Sequence, residues 1–176
     1  MRLPVMARKI QFRGWHAAAF MVGMSALSYA STRKGARAYW QGLNKTQATP
    51  PAWVFPAVWS GLNVLQLWAD LRVLNNPDLP DRNKVLGLRA ANWALYALFT
   101  PTFFRAKSPI AGEMVTLAEG VTAGATVAIL AGRDPLAAAA LVPLTLWTGY
   151  AALVGGQIAA KNPDNIVDRL RWEGAF

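Results

Sequence analysis

Five long apolar stretches, separated by short charged or turn-rich segments, set the strongest constraint on the fold of this chain. They run over about 14–31, 53–74, 86–104, 109–131 and 135–160. A helix needs about 20 mostly apolar residues to cross a bilayer, so each stretch is long enough, or nearly so, to span a membrane. The breaks between them carry charges, prolines and glycines, which end helices. We therefore predict an all-α integral membrane protein, a bundle of five transmembrane helices.

The composition agrees with a membrane protein. Of the 176 residues, 54% are hydrophobic and only 15% are charged, whereas soluble domains carry about 25% charged residues. The net charge of +9 would suggest nucleic acid in a soluble protein, but here the charges cluster between the apolar stretches. We therefore expect the lipid bilayer, and no nucleic acid, as a partner. The chain has no cysteine and one histidine, which argues against a disulfide framework, a catalytic thiol and a metal site.

The segments outside the five stretches differ in character. Residues 1–13 form a basic N-terminal flank, which we favour over a targeting signal, and 161–176 form a polar C-terminal tail. The transmembrane domain covers 14–160, and its longest connection, 32–52, is predicted to contain a short interfacial helix. Eight basic residues fall on the N-terminal side of a five-span bundle and nine on the other, so the positive-inside rule does not choose an orientation.

The second span carries a polar face. Ser60, Asn63, Gln66 and Asp70 fall within an arc of about 120° on a helix. Polar groups in hydrocarbon avoid lipid, so this face should point into the bundle, a cavity or a partner. Interhelical hydrogen bonding is the preferred interpretation, and contact with a ligand is the alternative.

The fourth span contains an acidic residue near its middle. Glu119 needs a partner there, and we expect either a buried proton or ligand site or a contact between subunits. On the same helix, small residues recur at four-residue steps at Thr116, Gly120 and Gly124, which lets another backbone approach closely. We assign Glu119, Gly120 and Gly124 to a packing or interaction surface.

Several motifs in and after the first long connection match a known pattern. Residues 40–45 read WQGLNK, residues 50–59 read PPAWVFPAVW and residues 100–104 read TPTFF. Further along, 134–147 contains DPLAA, then a Val-Pro pair and a tryptophan. In this order and spacing the motifs resemble the TspO/MBR family of tryptophan-rich sensory proteins, which includes the mitochondrial translocator protein or peripheral benzodiazepine receptor.

This resemblance implies a five-helix bundle, often dimeric, with a cavity near the loop after the first helix. Family members bind porphyrins, haem-like tetrapyrroles and sterols. Several polar and aromatic cavity positions are exchanged in this chain: Asn63, Tyr96, Phe99 and Leu144 stand where the family usually carries Tyr, Asn, Trp and Tyr. The residues assigned to ligand binding by the resemblance are Trp40, Trp53, Phe55, Trp59, Asn63, Tyr96, Phe99, Leu144, Trp147 and Ala151.

Two functions follow as expectations. The first is a regulatory or transport-related membrane protein that binds a porphyrin or haem-like tetrapyrrole, or a sterol or lipid, with no obligatory cofactor. The alternative is a non-catalytic structural subunit of a larger membrane complex, with an altered or lipid-filled pocket. We expect no enzyme, because no carboxylate pair or nucleophile–base set supports porphyrin degradation. A homodimer or a larger complex, in a mitochondrial or a bacterial membrane, is compatible with the sequence.

Overall fold

The structure, a computed structural model, describes residues 11–31 and 35–173. Seven α-helices and one π-helical segment occur within these residues. In chain order they are α1 (Gly14–Ser31), α2 (Ala36–Gly42), α3 (Val54–Asn75), α4 (Arg82–Thr100), the π-helical segment (Pro101–Arg105), α5 (Pro109–Ala131), α6 (Pro135–Lys161) and α7 (Asn165–Trp172).

The five long helices coincide with the five predicted spans, and the predicted helical bundle is confirmed. Helices α5 and α6 begin where the sequence predicts because their starts are encoded locally. Each has proline in its first turn, where the missing N–H costs no hydrogen bond. The Ser108 hydroxyl accepts a hydrogen bond from the Ala111 N–H at 3.0 Å, and the Asp134 carboxylate accepts one from the Ala137 N–H at 3.1 Å. Both are N-caps that satisfy otherwise unpaired backbone donors.

The surface of the bundle is that of an integral membrane protein. Helices α5 and α6 are long and apolar enough, by length and composition, to cross a membrane. Large apolar side chains point outward along them: Val121 is 70% exposed, Leu146 68% and Leu153 71%. An apolar belt of this kind is stable where lipid rather than water covers it.

The interior consists of three apolar clusters along the bundle. One lies at the end formed by the α3–α4 and α5–α6 connections, a second lies in the middle, and the third lies at the opposite end, beneath α2. Their buried members are, in that order, Ala69, Val73, Leu79, Val85, Leu130, Ala137, Ala138 and Leu141; Leu62, Ala123 and Leu144; and Leu43, Phe103, Val154 and Ile158.

The segment after α2 is fastened across one end of the bundle. The Asn44 N–H donates to Asn162 Oδ1 at 2.8 Å, and Asn162 Nδ2 donates to the Asn44 carbonyl at 3.0 Å. Further along, the Tyr150 hydroxyl donates to the Ala48 carbonyl at 2.6 Å. These bonds hold the predicted short helix, α2, over the end of the bundle. Helix α7 was not predicted and lies in the segment expected to be a polar tail.

Candidate functional site

A cavity of about 520 Å³ lies under α2, between the helices of the bundle. This volume is within the range of sites for small molecules and cofactors. All the long helices, α2 and the π-helical segment contribute to its wall. The lining residues are Ser28, Ala36, Arg37, Trp40, Ala52, Phe55, Pro56, Trp59, Tyr96, Phe99, Thr100, Phe103, Phe104, Thr116, Glu119, Trp147 and Ala151.

Aromatic rings in contact with one another form much of the wall. The Phe55 ring stands edge-on to both Trp40 and Trp147, with ring centroids 5.5 and 5.9 Å apart. The Trp59 and Tyr96 rings meet in the same way at 5.2 Å. Edge-to-face pairs hold each ring in a fixed orientation. The wall therefore offers flat, rigid apolar faces to a ligand.

The π-helical segment after α4 brings further rings to the cavity. Pro101 lacks an N–H and interrupts the α-helical ladder, and the Ala106 N–H donates instead to the Pro101 carbonyl at 2.9 Å. In the widened turn Phe103 points inward, 5% exposed, and stacks on Phe99 at 5.3 Å. Gly112 of α5 makes room for it, because a Cβ there would lie 2.6 Å from Phe103 Cδ2.

Two buried polar groups in the lining have no hydrogen-bond partner within the described chain. They are Glu119 Oε1, a potential acceptor, and Trp147 Nε1, a donor. A third polar group, the Tyr96 hydroxyl, accepts a hydrogen bond from Asn63 Nδ2 at 3.2 Å, which leaves its proton free to donate. Unpaired polar atoms in a low-dielectric site are costly, so a ligand that pairs with them is stabilised.

A cation stands at the α2 side of the cavity. Arg37 lines it from the exposed side of that helix. Arg37 has no acidic partner among the residues that the structure describes. The cavity thus combines an aromatic interior, an interior carboxyl group and a guanidinium near solvent.

The structure brings together seven of the ten residues assigned to ligand binding. Those in the lining are Trp40, Phe55, Trp59, Tyr96, Phe99, Trp147 and Ala151. The other three lie elsewhere. Trp53 precedes the first turn of α3 and is 71% exposed, Leu144 packs against Leu62 and Ala123 in the middle apolar cluster, and Asn63 stands behind Tyr96 as its hydrogen-bond donor.

Of the residues assigned to an interaction surface, Glu119 lies inside the chain, and Gly120 and Gly124 are half-buried against α6. Glu119 is 2% exposed. A Cβ on Gly120 would lie 3.2 Å from the Thr148 hydroxyl of α6, and one on Gly124 would lie 3.6 Å from Thr145. The small-residue stripe therefore permits close packing of α5 on α6 of the same chain.

Interhelical hydrogen bonding, predicted for the polar face of α3, is present and centres on a residue that was not among the predicted site residues. Arg89 of α4 is 3% exposed. Its guanidinium donates to Asp70 at 2.6 Å, Gln66 at 2.7 Å and Asn92 at 3.0 Å. Trp93 Nε1 also donates to Asp70, at 2.7 Å.

A sequence signal for this pair exists. Asp70 and Arg89 both lie within about two helical turns of the short α3–α4 connection. Since the two helices run antiparallel, the two charges come to similar depth in the membrane, where unpaired charges are costly.

Comparison with known proteins identifies the family of the chain. A model of the TspO/MBR family matches residues 17–160, which include α3, α4, α5, most of α1 and α6, and every residue that lines the cavity. The chain belongs to the TspO/MBR family. The resemblance of the tryptophan-rich motifs is thereby confirmed.

Three bacterial proteins are similar to this chain in sequence. A tryptophan-rich sensory protein of Cereibacter sphaeroides is 31% identical over 62% of this chain and 67% of its own length. Protein CrtK of Rhodobacter capsulatus is 28% identical over 72% of this chain and 79% of its own length. A tryptophan-rich protein TspO of Chlorobaculum tepidum is 29% identical over 75% of this chain and 84% of its own length.

Proposed function

We propose that this TspO/MBR protein binds a flat, mainly apolar ligand with a carboxylate in the cavity under α2, and that the ligand is a tetrapyrrole of the porphyrin type. The observation that carries the proposal is the aromatic cavity with Arg37 at its solvent side. Large ring ligands gain dispersion energy from flat aromatic walls. A guanidinium pairs well with a carboxylate.

The charge of the cavity favours a tetrapyrrole over a sterol. A sterol presents one hydroxyl group and no anionic group, so it leaves Arg37 without a partner. Protoporphyrin carries carboxylates at one edge of a flat apolar ring. With this edge toward Arg37, the ring lies among Trp40, Phe55 and Trp147, which line the interior.

The unpaired polar groups inside the cavity place a second requirement on the ligand. Glu119 Oε1 and Trp147 Nε1 are buried without partners within the described chain. A ligand that offers a donor to the carboxyl group and an acceptor to the indole N–H removes both desolvation costs. We therefore expect ligands whose ring system carries hydrogen-bond donors and acceptors to bind better than purely hydrocarbon ligands of the same size.

Binding, rather than catalysis or a purely structural role, is the function that the site supports best. Among the described residues, Glu119 is the one acidic side chain that lines the cavity, and a lone carboxyl group does not make an acid–base pair. Glu119 is buried within the chain, and Gly120 and Gly124 face Thr148 and Thr145 of α6. A regulatory role of binding follows as a proposal from the relative that is named a sensory protein, and a bacterial membrane follows as a proposal from the organisms of the relatives.

The role of Arg37 is tested with a matched pair of ligands. Protoporphyrin and its dimethyl ester share one ring, but the ester carries no charge. We expect the purified protein in neutral detergent to bind the free acid about twofold to fivefold more tightly, as a partly exposed ion pair of about 0.5–1 kcal/mol implies. Dissociation constants from fluorescence titration measure this ratio.

The variant Arg37→Gln should lose the preference by weakening binding of the free acid alone. Lys161→Gln, which removes an exposed charge at the same end of the bundle, is the control and should keep it. Equal affinity for both ligands in the unsubstituted protein, with saturable binding, would assign the cavity to a neutral ligand such as a sterol.

A further inference from the structure

A second cavity, which we call the basic groove, lies between the π-helical segment and α7. Its volume is about 590 Å³. Three cationic residues line it, Arg105, Lys107 and Arg169, together with the apolar side chains of Ile166 and Leu170. It is separate from the aromatic cavity and shares none of the charged residues of that site.

The two sides of the groove are held together by hydrogen bonds, because Asp164 bonds to both α7 and the start of α5. One carboxylate oxygen accepts hydrogen bonds from the Ser108 hydroxyl at 2.7 Å and the Ile110 N–H at 2.9 Å. The other accepts from the Ile166 and Val167 N–H groups, each at 3.0 Å. A single carboxylate thus caps α7 and contacts the first turn of α5. It is fully used in these bonds and does not pair with the cations of the groove.

The positive charge of the groove is not neutralised within the described chain. Arg105, Lys107 and Arg169 are exposed and form no ion pair with a described acidic residue. Asp168 precedes Arg169 on α7, but successive helical residues point about 100° apart, and Asp168 is not part of the groove.

Three cations at the opposite end of the bundle, in contrast, have carboxylate partners. Lys84 contacts Asp81 at 2.8 Å, and Arg133 forms a second ion pair with the same carboxylate. Arg72 contacts Asp134 at 3.0 Å. The hydrogen bonds from Lys84 and Arg133 hold the pKa of Asp81 below its ordinary value. The three cations of the basic groove therefore differ from Arg72, Lys84 and Arg133 in having no carboxylate partner within the described chain.

The position of the groove fits the boundary of a membrane. It lies where the extension of α4 ends and α5 begins, between two spans. Helix α7 presents apolar side chains beside its arginines: Ile166 is 39% exposed and Trp172 is 90% exposed. Arginine and tryptophan on a short amphipathic helix are typical of the interface between headgroups and acyl chains.

We propose that the basic groove binds the phosphate headgroup of an anionic phospholipid. The three cations surround the phosphate, and Ile166 and Leu170 contact the start of an acyl chain. Charge complementarity selects the anionic headgroup, because a zwitterionic lipid adds a cation that the groove repels. Basic pockets at helix ends recognise lipid headgroups through the same chemistry.

The test uses the full chain purified in neutral detergent, with phosphatidylglycerol and phosphatidylcholine of identical acyl chains as probes. Native mass spectrometry measures how much of each lipid remains bound. We expect phosphatidylglycerol to bind at least about tenfold more tightly. The double variant Arg105→Gln/Arg169→Gln should weaken its binding roughly 25-fold, since each cation contributes about fivefold near a charged headgroup.

Two further measurements distinguish a lipid site in the groove from a general effect of positive charge and from a site for a free anion. Lys84→Gln removes one charge from the opposite end of the bundle and should leave phosphatidylglycerol binding unchanged. Inorganic phosphate at millimolar concentration should fail to displace the lipid. The proposal is overturned if both lipids bind equally, if Lys84→Gln weakens binding as much as the double variant, or if inorganic phosphate displaces the lipid and so identifies a site for the free anion.

Discussion

Gly112 of α5 lies against the ring of Phe103 in the π-helical segment. A methyl group there would overlap the ring of Phe103, at 2.6 Å from Cδ2. We expect Gly112→Ala to destabilise the protein by about 1–3 kcal/mol, as other overpacked cores do. Thermal unfolding in detergent measures this change. Gly61→Ala in α3 is the control, because no atom lies within 4 Å of the added Cβ. There the higher helix propensity of alanine should stabilise the protein by about 0.5–1 kcal/mol.

An unchanged unfolding temperature of Gly112→Ala would mean that Phe103 moves freely and does not form a fixed wall of the cavity. Of the residues assigned from the motifs, Trp59 and Trp147 line the cavity, whereas Asn63 and Leu144, on the same two helices, do not. Trp53 does not line it either, because it lies just outside the first turn of α3, where the motif does not fix the direction of the side chain.

Helices α3 and α4 are joined in the membrane by the pair of Asp70 and Arg89. Breaking a buried ion pair on one side leaves an uncompensated charge and costs about 3–5 kcal/mol. We expect Arg89→Met to lose this amount in the free energy of unfolding, measured by detergent-induced denaturation. The double variant Asp70→Leu/Arg89→Met should lose less than the single variant, because neither charge then remains.

Arg72→Met provides the control for this pair. Arg72 contacts Asp134 but its side chain is 37% exposed, so its loss should cost at most about 1 kcal/mol. A double variant that is less stable than Arg89→Met alone would show that the uncompensated charge of Asp70 is not the cause of the loss.

Helix α7 depends on the ionised form of Asp164. Burial on its own would raise the pKa of this carboxyl group, but the hydrogen bonds from Ser108, Val167, Ile110 and Ile166 outweigh it and hold the pKa below its ordinary value. The bonds stabilise the protein at pH values above the unfolded pKa of about 3.9, and this contribution is lost as the pH falls through the lower folded pKa.

We therefore expect the amide hydrogens of α7 to exchange slowly near neutral pH, after correction for intrinsic rates, and to lose protection below about pH 4. Asp164→Ala should lose protection at every pH and cost about 0.5–2 kcal/mol as a lost cap. Asp168→Ala, on an exposed position of the same helix, should stay protected. Full protection of α7 in Asp164→Ala would show that other contacts hold the helix.

At the scale of the elements, the long helices were predictable because the residues that fix each end of a helix are close together in the sequence. Proline at the first position and a serine or aspartate cap fix the starts of α5 and α6. Helix α7 was not predictable in the same way: it is eight residues long, and a short amphipathic helix gains its stability from docking rather than from its own sequence.

The whole molecule is a five-helix membrane bundle with two different ends. At one end Arg72, Lys84 and Arg133 are paired with carboxylates, and at the other three cations without a carboxylate partner among the described residues line a groove. The family and the bundle could be predicted from motifs and apolar periodicity. The pair of Asp70 and Arg89 leaves a signal in the sequence, because both residues lie near the short α3–α4 connection. The unpaired Glu119 and the exposed position of Arg37 at the cavity depend on three-dimensional packing, which separations along the chain do not specify.

The most direct test of ligand binding is a titration of the purified protein with protoporphyrin, followed by quenching of tryptophan fluorescence. Trp147→Phe removes a ring from the cavity wall, and Trp172→Phe removes one that is 90% exposed on α7. We predict saturable quenching at low micromolar concentration, weakened in Trp147→Phe and unchanged in affinity in Trp172→Phe. Linear quenching without saturation, the same in all three proteins, would contradict the proposal that this cavity binds a tetrapyrrole.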